Sequence, residues 1–143
     1  MQRTLVLLKP DALKRGLVGE IISRLEGRGL KIIATKMIWM SEALAKRHYA
    51  IHEGKSFFEE LVDFITSGPI IAAVFEGEDA VEVVRGAMGE TDPARAAPGT
   101  IRRDLAQDIK CNLIHGSDSE QIATEEIDLF FSKSEIFEQP KGD

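Results

Sequence analysis

The order of strand-like and helix-like segments is the feature that most restricts how this chain can fold. Four segments are aliphatic and β-branched, as buried strands are, namely 3–9, 30–40, 70–75 and 112–115. Ser41 is the expected N-cap of one helix, and apolar residues at helical spacing predict others over 18–28, 57–65, 78–88 and from residue 117 onward. The core order is therefore β-α-β-β-α-β.

This order is typical of the ferredoxin-like α+β fold, in which a four-stranded antiparallel sheet has helices packed on it. We expect the helices on one face of that sheet. The chain has 143 residues, so we expect a single domain over residues 1–143. An irregular segment over 89–100 interrupts the regular elements, and loops of this length in small domains are often functional.

The composition favours a cytoplasmic protein that does not associate with membranes. Cys111 is the only cysteine, so no intrachain disulfide can form, as is typical of reducing compartments. The first residues do not have the pattern of a secretory signal, and no apolar run approaches the length of a membrane span.

The charge balance argues against nucleic acid as a partner. The chain has 18 lysines and arginines against 24 acidic residues, a net charge of −6. RNA-binding domains that share this topology use aromatic residues on their strands and basic residues beside them. The strands here are aliphatic apart from Trp39 and Phe75, so an RNA-binding module is disfavoured.

The segment NLIHGSDS at 112–119 carries the most chemistry, and His115 within it has three interpretations. It could be a nucleophile, a member of a Ser/His/Asp hydrolase group, or a residue beside a helix cap. Ser117 and Glu120 fit the capping-box pattern, which predicts Ser117 as the N-cap of the last helix. His115 would then precede a helix N-terminus, where its ring stays neutral and a phosphate is favoured. Gly116 would leave room for the incoming group.

The hydrolase interpretation is the weakest of the three. His115, Ser117 and Asp118 lie within four consecutive residues, which makes a linear relay hard to build, and no G-x-S-x-G nucleophile elbow is present.

Two other sequence patterns resemble binding sites but lack a residue that such a site requires. Gly54-Lys55-Ser56 ends like a P-loop, but Tyr49 stands where that motif needs its first glycine. His48 and His52 are four residues apart on a predicted helix and could bind a metal, but no third ligand is evident. We therefore expect both histidines on a solvated or half-buried helix face.

The run Asn-x-x-His-Gly-Ser-Asp at 112–118 resembles the active-site signature of the nucleoside diphosphate kinase family. The resemblance extends over about residues 3–136, because further blocks resemble the family in the family's order. These blocks are Lys9-Pro10-Asp11, RGLVGEI at 15–21, Ser67-Gly68-Pro69, GETDPA at 89–94 and PGTIR at 98–102.

This resemblance implies an activity: transfer of the γ-phosphoryl group of a nucleoside triphosphate to a nucleoside diphosphate. It implies a ping-pong mechanism through a phosphohistidine at His115, with Mg²⁺ held mainly by the nucleotide phosphates and not by the protein. Members of the family form tetramers, hexamers and occasionally dimers, so we expect a homo-oligomer, with a tetramer or a hexamer as the expected assembly; the sequence does not choose among these states. An inactive relative would be expected to lack His115 or Arg102, and both are present.

The resemblance also assigns roles residue by residue. Lys9 and Asn112 match residues that bind the sugar hydroxyls and the phosphate end. Phe57 matches the aromatic on which the base stacks, and Ser117 and Glu126 match residues that support the histidine. The residues matched around the phosphates are Tyr49, Arg85, Thr91 and Arg102.

The chemistry explains these residue types. Phosphoryl transfer depends mainly on positioning and charge stabilisation, and arginine forks suit phosphate oxygens. We expect Arg85 and Arg102 to act on the phosphates and not on stability. Stacking on Phe57 tolerates any base, so we expect broad base specificity.

Overall fold

A four-stranded antiparallel sheet forms the centre of the computed structural model, which describes residues 1–140. Its strands lie in the order β2-β3-β1-β4, with β1 paired to β3 and β4 and with β2 paired to β3. The strands are β1 Gln2–Leu8, β2 Lys31–Ile38, β3 Ile70–Gly77 and β4 Ile114–Gly116. The predicted α+β fold, ferredoxin-like with an antiparallel sheet, is confirmed. The end of the predicted domain, 141–143, lies outside the described residues.

Seven α-helices and two short 3₁₀ turns connect and cover these strands in the described part of the chain. The helices are α1 Pro10–Lys14, α2 Val18–Glu26, α3 Glu42–His48, α4 Phe58–Ile65, α5 Ala80–Met88, α6 Ile101–Leu105 and α7 Glu120–Phe130. The 3₁₀ turns are Ala50–His52 and Lys133–Glu135. Helices α1 and α6 were not predicted from the sequence, because five residues are too few to show a helical period. Within residues 1–140 no helix has the length and apolar character needed to cross a membrane.

The helices cover both faces of the sheet, so the expectation of one covered face was wrong. Leu5 and Leu7 of β1 point into one apolar core, which they share with α3, α4 and α7. Val6 and Leu8 point into a second core with α2, α5 and α6. The unbroken apolar run of β1 shows the reason, since a strand covered on only one face alternates apolar and polar residues.

The start of α7 also differs from the prediction. Ser119, and not Ser117, is the N-cap, and its hydroxyl accepts a hydrogen bond from the Ile122 backbone N–H at 3.1 Å. Ser117 instead pairs with β1: its backbone N–H donates to the Leu5 carbonyl, and its Oγ accepts from the Leu5 N–H, each at 3.2 Å. This pairing draws Ser117 onto the sheet, so the helix begins after it.

Candidate active site

A cavity of about 1050 Å³ opens beside β4 and α7, and it gathers the predicted site residues from distant parts of the chain. Every one of them lines this cavity except Ser117, which is fully buried behind it. The lining members are Lys9, Tyr49, Phe57, Arg85, Thr91, Arg102, Asn112, His115 and Glu126. Residues more than 100 positions apart therefore share one site.

His115 is held by a carboxylate at the cavity wall. It lies on β4 opposite Leu7, and its side chain is 22% exposed. The Nε2 atom lies 3.1 and 3.0 Å from the two carboxylate oxygens of Glu126. Because an ionised carboxylate can only accept hydrogen bonds, Nε2 is the donor, and in the neutral form of the ring Nδ1 keeps the lone pair.

Ser117 fixes that carboxylate in place. Its Oγ donates to Glu126 Oε1 at 2.6 Å while accepting from the Leu5 N–H. Burial raises the pKa of Glu126, but the hydrogen bonds from His115 and Ser117 outweigh this effect and bring the pKa below its ordinary value. Glu126 is therefore ionised at neutral pH, and β1, β4 and α7 together orient the His115 ring.

The surroundings of His115 differ from the helix N-terminus that the sequence predicted. Glu126 lies inside α7 and not at its start, and it presents negative charge to the ring. Gly116 lines the cavity on one side, and toward α5 a Cβ there would come within 2.6 Å of Met88 Sδ and 2.9 Å of Val84 Cγ1. Gly116 is needed so that α5 can approach β4 closely.

His48 is a member of the site that the sequence did not reveal. Its side chain is 1% exposed and stands edge-on to the His115 ring, with centroids 4.7 Å apart. Burial, with the neighbouring His115, lowers the pKa of His48 to about 3, so the ring is a neutral imidazole. The expectation of a solvated or half-buried helix face agrees with His52, which is half-buried, but it was wrong for the side chain of His48, because the end of α3 turns that side chain inward.

Arg102 lines the cavity and also holds neighbouring backbone segments together. It is 6% exposed, and its guanidinium donates to the carbonyls of Asn112 at 3.3 Å, Gly89 at 3.1 Å and Ile114. Burial and the nearby Arg85 lower the pKa of Arg102 to about 10, which leaves it charged at neutral pH. The expectation that Arg102 does not act on stability is therefore not supported, since it ties two loops to β4.

Arg85 has the opposite character. It projects from α5 with its side chain about half exposed, and its Nη1 donates to Asp118 Oδ1 at 2.7 Å. Asp118 is itself 76% exposed in its side chain. Such exposed ion pairs contribute little to stability, so Arg85 can exchange this partner for another anion at small cost.

Lys9 extends the row of cations along the wall. Its Nζ donates to Asn112 Oδ1 at 2.8 Å, and Asn112 Nδ2 donates to the Thr91 carbonyl at 3.1 Å. Burial and the charge of Arg102 lower the pKa of Lys9 to about 8. Thr91 itself is exposed, with its backbone fixed by this chain of contacts.

The loop that carries Asn112 is held in an unusual conformation. Leu113 has a φ of 74°, which is rare for a residue with a side chain. Its backbone N–H donates to the buried carboxylate of Asp11 at 3.1 Å, and its carbonyl accepts from the Lys9 N–H at 2.8 Å. These contacts from the start of α1 turn Asn112 and His115 toward the same cavity.

Apolar side chains form the open end of the cavity. Phe57 is 41% exposed, and its ring lies 5.3 Å from that of His52 between centroids. Ile109 lines the same cavity and is 59% exposed. Tyr49 is mostly buried, and its pKa is raised to about 12 by burial and by Glu126, so its hydroxyl is neutral. The sequence reasoning missed Ile109, since a single apolar residue in a loop has no distinguishing pattern.

The comparisons with known proteins all give the same family. The family model described as nucleoside diphosphate kinase matches residues 2–136. A protein of that name from Archaeoglobus fulgidus is 55% identical over 143 residues, which is 100% of this chain and 95% of the relative. One from Dehalococcoides mccartyi is 57% identical over 136 residues, covering 95% of this chain and 96% of the relative.

Solved structures are similar throughout the chain. A halophilic nucleoside diphosphate kinase from Halobacterium salinarum in complex with CDP superposes with a TM-score of 0.95 at 50% identity, covering 98% of this chain and 93% of that one. The Aquifex aeolicus nucleoside diphosphate kinase gives a TM-score of 0.91 at 43% identity, covering 94% of this chain and 98% of that one.

Proposed function

This chain belongs to the nucleoside diphosphate kinase family, and on that premise we propose that it transfers a γ-phosphoryl group from a nucleoside triphosphate to a nucleoside diphosphate through His115. The observation that carries the proposal is the contact between His115 Nε2 and Glu126. It leaves Nδ1 as the unprotonated nitrogen of a side chain that lines the same cavity as Lys9, Arg85 and Arg102. A neutral imidazole nitrogen of this kind is a nucleophile.

The cavity supplies binding groups at both ends of a nucleotide. Phe57 offers an aromatic face on which a base stacks, and Ile109 offers an aliphatic surface at the same open end. Toward His115, the cations Lys9, Arg85 and Arg102 line the wall and match the negative charge of the phosphates. A bound nucleotide would therefore extend from the exposed end to the histidine.

The transfer needs only one bond to form and one to break. Nδ1 of His115 attacks the γ-phosphorus, the new P–N bond forms, and the bond to the β–γ bridging oxygen breaks, so the diphosphate leaves with that electron pair. The ring becomes cationic, and the Glu126 carboxylate stabilises this charge through Nε2–H. Ser117 prevents the carboxylate from turning away. A terminal oxygen of a second diphosphate then attacks the same phosphorus and reverses these steps.

We propose that Mg²⁺ binds as a complex with the nucleotide phosphates and that protein side chains do not coordinate it. Within residues 1–140 only one cluster has metal-ligand spacing, and two of its three members are histidines. Mg²⁺ prefers oxygen ligands and is usually held by substrate phosphates, so this cluster does not fit it. The ion on the phosphates would neutralise charge there, while the residues of this chain orient the nucleotide and hold the proton on Nε2.

Loose base selection is part of the proposal. Discrimination between bases requires hydrogen bonds to their edges, and the two residues proposed to contact the base, Phe57 and Ile109, have no polar atoms in their side chains. We expect kcat/KM for ADP, GDP, CDP and UDP to agree within about 100-fold. A preference of several thousandfold for one base would contradict this part.

Homo-oligomer formation and a cytoplasmic location also remain proposals. Met37 and Trp39 at the end of the edge strand β2 are 63% and 66% exposed, which is unusual for large apolar side chains. A second copy of the chain would cover them, and a tetramer or a hexamer is the expected assembly. Light scattering over a concentration series tests this, and a fully active monomer at high concentration would contradict it.

Labelled ATP tests the phosphotransfer itself. The protein is incubated with ATP labelled in the γ position, freed of nucleotide and exposed to acid or alkali. A phosphohistidine is lost in mild acid and survives alkali, and it should discharge to any nucleoside diphosphate. His115→Gln should abolish the label and Ser117→Ala should only slow its formation. An acid-stable label that persists in His115→Gln would overturn the proposal.

A further inference from the structure

A cluster of three metal-ligating side chains lies at the inner end of the cavity, and phosphotransfer as proposed uses only two of them. His48, His115 and Glu126 each offer one ligand atom, and these atoms all lie within 4.8 Å of one another. We propose that the three side chains form a site for a transition-metal dication such as Zn²⁺, and that metal bound there reversibly switches off the His115 nucleophile. The switch rests on the proposed function, whereas the metal site itself does not.

The distances suit a tetrahedral ion. His115 Nε2 lies 3.0 Å from Glu126 Oε2, and His48 Nδ1 lies 3.6 Å from the same oxygen. Ligand atoms around a tetrahedral zinc, with bonds of about 2.0–2.2 Å, are about 3.3 Å from one another. The two observed distances bracket this value, and the third separation, between the His48 and His115 nitrogens, is at most 4.8 Å. A rotation that brings the two rings closer would complete three of four positions. A water molecule from the cavity would occupy the fourth.

The burial of His48 is a separate observation that points to a ligand. Its side chain is 1% exposed, and neither ring nitrogen has a hydrogen-bond partner among the described residues. Buried polar atoms without partners are rare because each one costs free energy. The neutral ring has a free lone pair, and a metal ion between His48 and Glu126 would use it.

The donor set selects the kind of ion. Two imidazoles and one carboxylate suit zinc and neighbouring transition metals, whereas Mg²⁺ favours oxygen ligands alone. The carboxylate is also prepared for this role, because Ser117 Oγ holds Glu126 Oε1 at 2.6 Å and leaves Oε2 for the ion. Such outer contacts fix the orientation of metal ligands.

Metal at Nε2 would change the chemistry of the His115 ring. The neutral ring has one ring N–H, which lies on Nε2 beside Glu126. When the metal takes the Nε2 lone pair, that proton moves to Nδ1 of the same ring. Nδ1 then has no lone pair with which to form a bond to phosphorus, so the ring is no longer a nucleophile. Removing the metal returns the proton to Nε2.

Direct zinc binding tests the site without any nucleotide. The untagged chain has three histidines, so their contributions can be separated. Calorimetry with Zn²⁺ should give one ion per chain for the wild type. His48→Phe keeps an aromatic ring but removes both nitrogens, and it should weaken binding by at least about 100-fold. His52→Phe is the matched control and should bind as the wild type does, with circular dichroism checking the fold of both variants.

Cobalt provides a readout that does not depend on a variant folding. Co²⁺ added to the wild-type chain should give the intense visible absorption of a tetrahedral site. Three results would contradict the proposed metal site. They are weak octahedral absorption with Co²⁺, no zinc uptake by the wild type, and equal zinc affinity in His48→Phe and the wild type. Because these arms contain no nucleotide, their failure is separate from a failure of phosphotransfer.

The switching effect is measured on the zinc-loaded protein. After free zinc is removed, a pulse of labelled Mg-ATP should form phosphoenzyme at least about tenfold more slowly than in the metal-free protein. A zinc-selective chelator should restore the rate. An unchanged rate in protein shown to hold one zinc would overturn the switch.

Discussion

The inner and the outer parts of the cavity are built in opposite ways. In the inner part, Arg102 and Ser117 are buried, and the polar atoms of Arg102, Ser117 and Glu126 contact other protein groups. In the outer part, the side chains of Phe57 and Ile109 are exposed, by 41% and 59%. The inner part is therefore organised before a nucleotide arrives, whereas outer side chains acquire their partners on binding.

This difference separates the effects that substitutions should have. A change in the inner part disturbs contacts made in the free protein, so it should alter the chemical step and, where buried hydrogen bonds are lost, stability as well. A change in the outer part should alter nucleotide binding and leave folding almost unaffected. The predictions below test this separation, beginning with the largest expected effect.

Glu126→Gln should lower kcat most while leaving KM for the nucleotide nearly unchanged. The amide keeps the shape of the side chain but removes the charge that stabilises the cationic ring. We expect a loss of roughly 10²–10³-fold in kcat, the size found for single preorganised electrostatic contacts. Steady-state kinetics measures it, and Glu125→Gln, in the neighbouring helical position, is the control. A rise in KM with normal kcat would show that Glu126 binds substrate instead.

Arg102→Leu should lower both activity and stability. It removes a cation from the cavity wall and leaves the carbonyls of Gly89, Asn112 and Ile114 without this donor. We expect kcat/KM to fall by about 100-fold and the free energy of unfolding by about 3 kcal/mol. Denaturant titration measures the second quantity. Arg85→Leu is the comparison, since the Arg85 side chain is half exposed and its loss should lower kcat/KM with almost no change in the free energy of unfolding. Equal destabilisation by both variants would show that the buried contacts of Arg102 do not contribute to stability.

Phe57→Ala should raise KM about tenfold and change little else. Loss of base stacking costs roughly 1–3 kcal/mol, and the ring is partly exposed in the free protein. The free energy of unfolding should stay within about 0.5 kcal/mol of the wild-type value. Phe58→Ala is the contrasting variant, because Phe58 packs in the core and should lose stability. A large loss of stability in Phe57→Ala would place its ring in the core.

The pKa of Lys9 should give nucleotide binding a pH dependence that stability does not follow. The pKa is lowered to about 8 by burial and by Arg102, so the ammonium loses its charge as pH rises from 7 to 9. KM for a nucleoside diphosphate should therefore rise a few-fold over this range. Lys9→Arg, which stays charged, should flatten the profile; an unchanged slope would assign the pH effect to another group.

The lowered pKa of Lys9 affects the free energy of unfolding in the opposite direction from nucleotide binding. Because the pKa of Lys9 is lower in the folded protein than in the unfolded chain, the unfolded chain binds more protons between about pH 8 and 10.5. The contribution of Lys9 to stability therefore increases with pH in that window, while its contribution to phosphate binding falls.

The sequence was most informative where a period or a motif extends over many residues. The strands and the longer helices were predicted because their apolar spacing repeats. The coverage of both sheet faces could have been inferred from the continuous apolar run of β1, whereas its register with Ser117 could not. That register depends on pairing between segments 112 residues apart, and it moves the helix cap to Ser119.

The sequence did not predict which side chains of the site are buried. Arg102 and Arg85 look alike in sequence, yet one is enclosed by backbone carbonyls and the other is exposed. His48 has no motif of its own and joins the site only because α3 ends against α7. Tertiary packing therefore determined the roles that residue type left open.

The nitrogen of His115 that carries phosphorus tests the central claim most directly. Protein labelled with ¹⁵N is phosphorylated with Mg-ATP, freed of nucleotide and kept at alkaline pH, where the phosphohistidine survives. Coupling between phosphorus and the ring nitrogens is then measured by NMR on the intact chain. The phosphoryl group should lie on Nδ1, with Nε2 still bearing its proton beside Glu126. Phosphorus on Nε2 would mean that Glu126 does not hold the ring for transfer, and the proposed mechanism would be wrong.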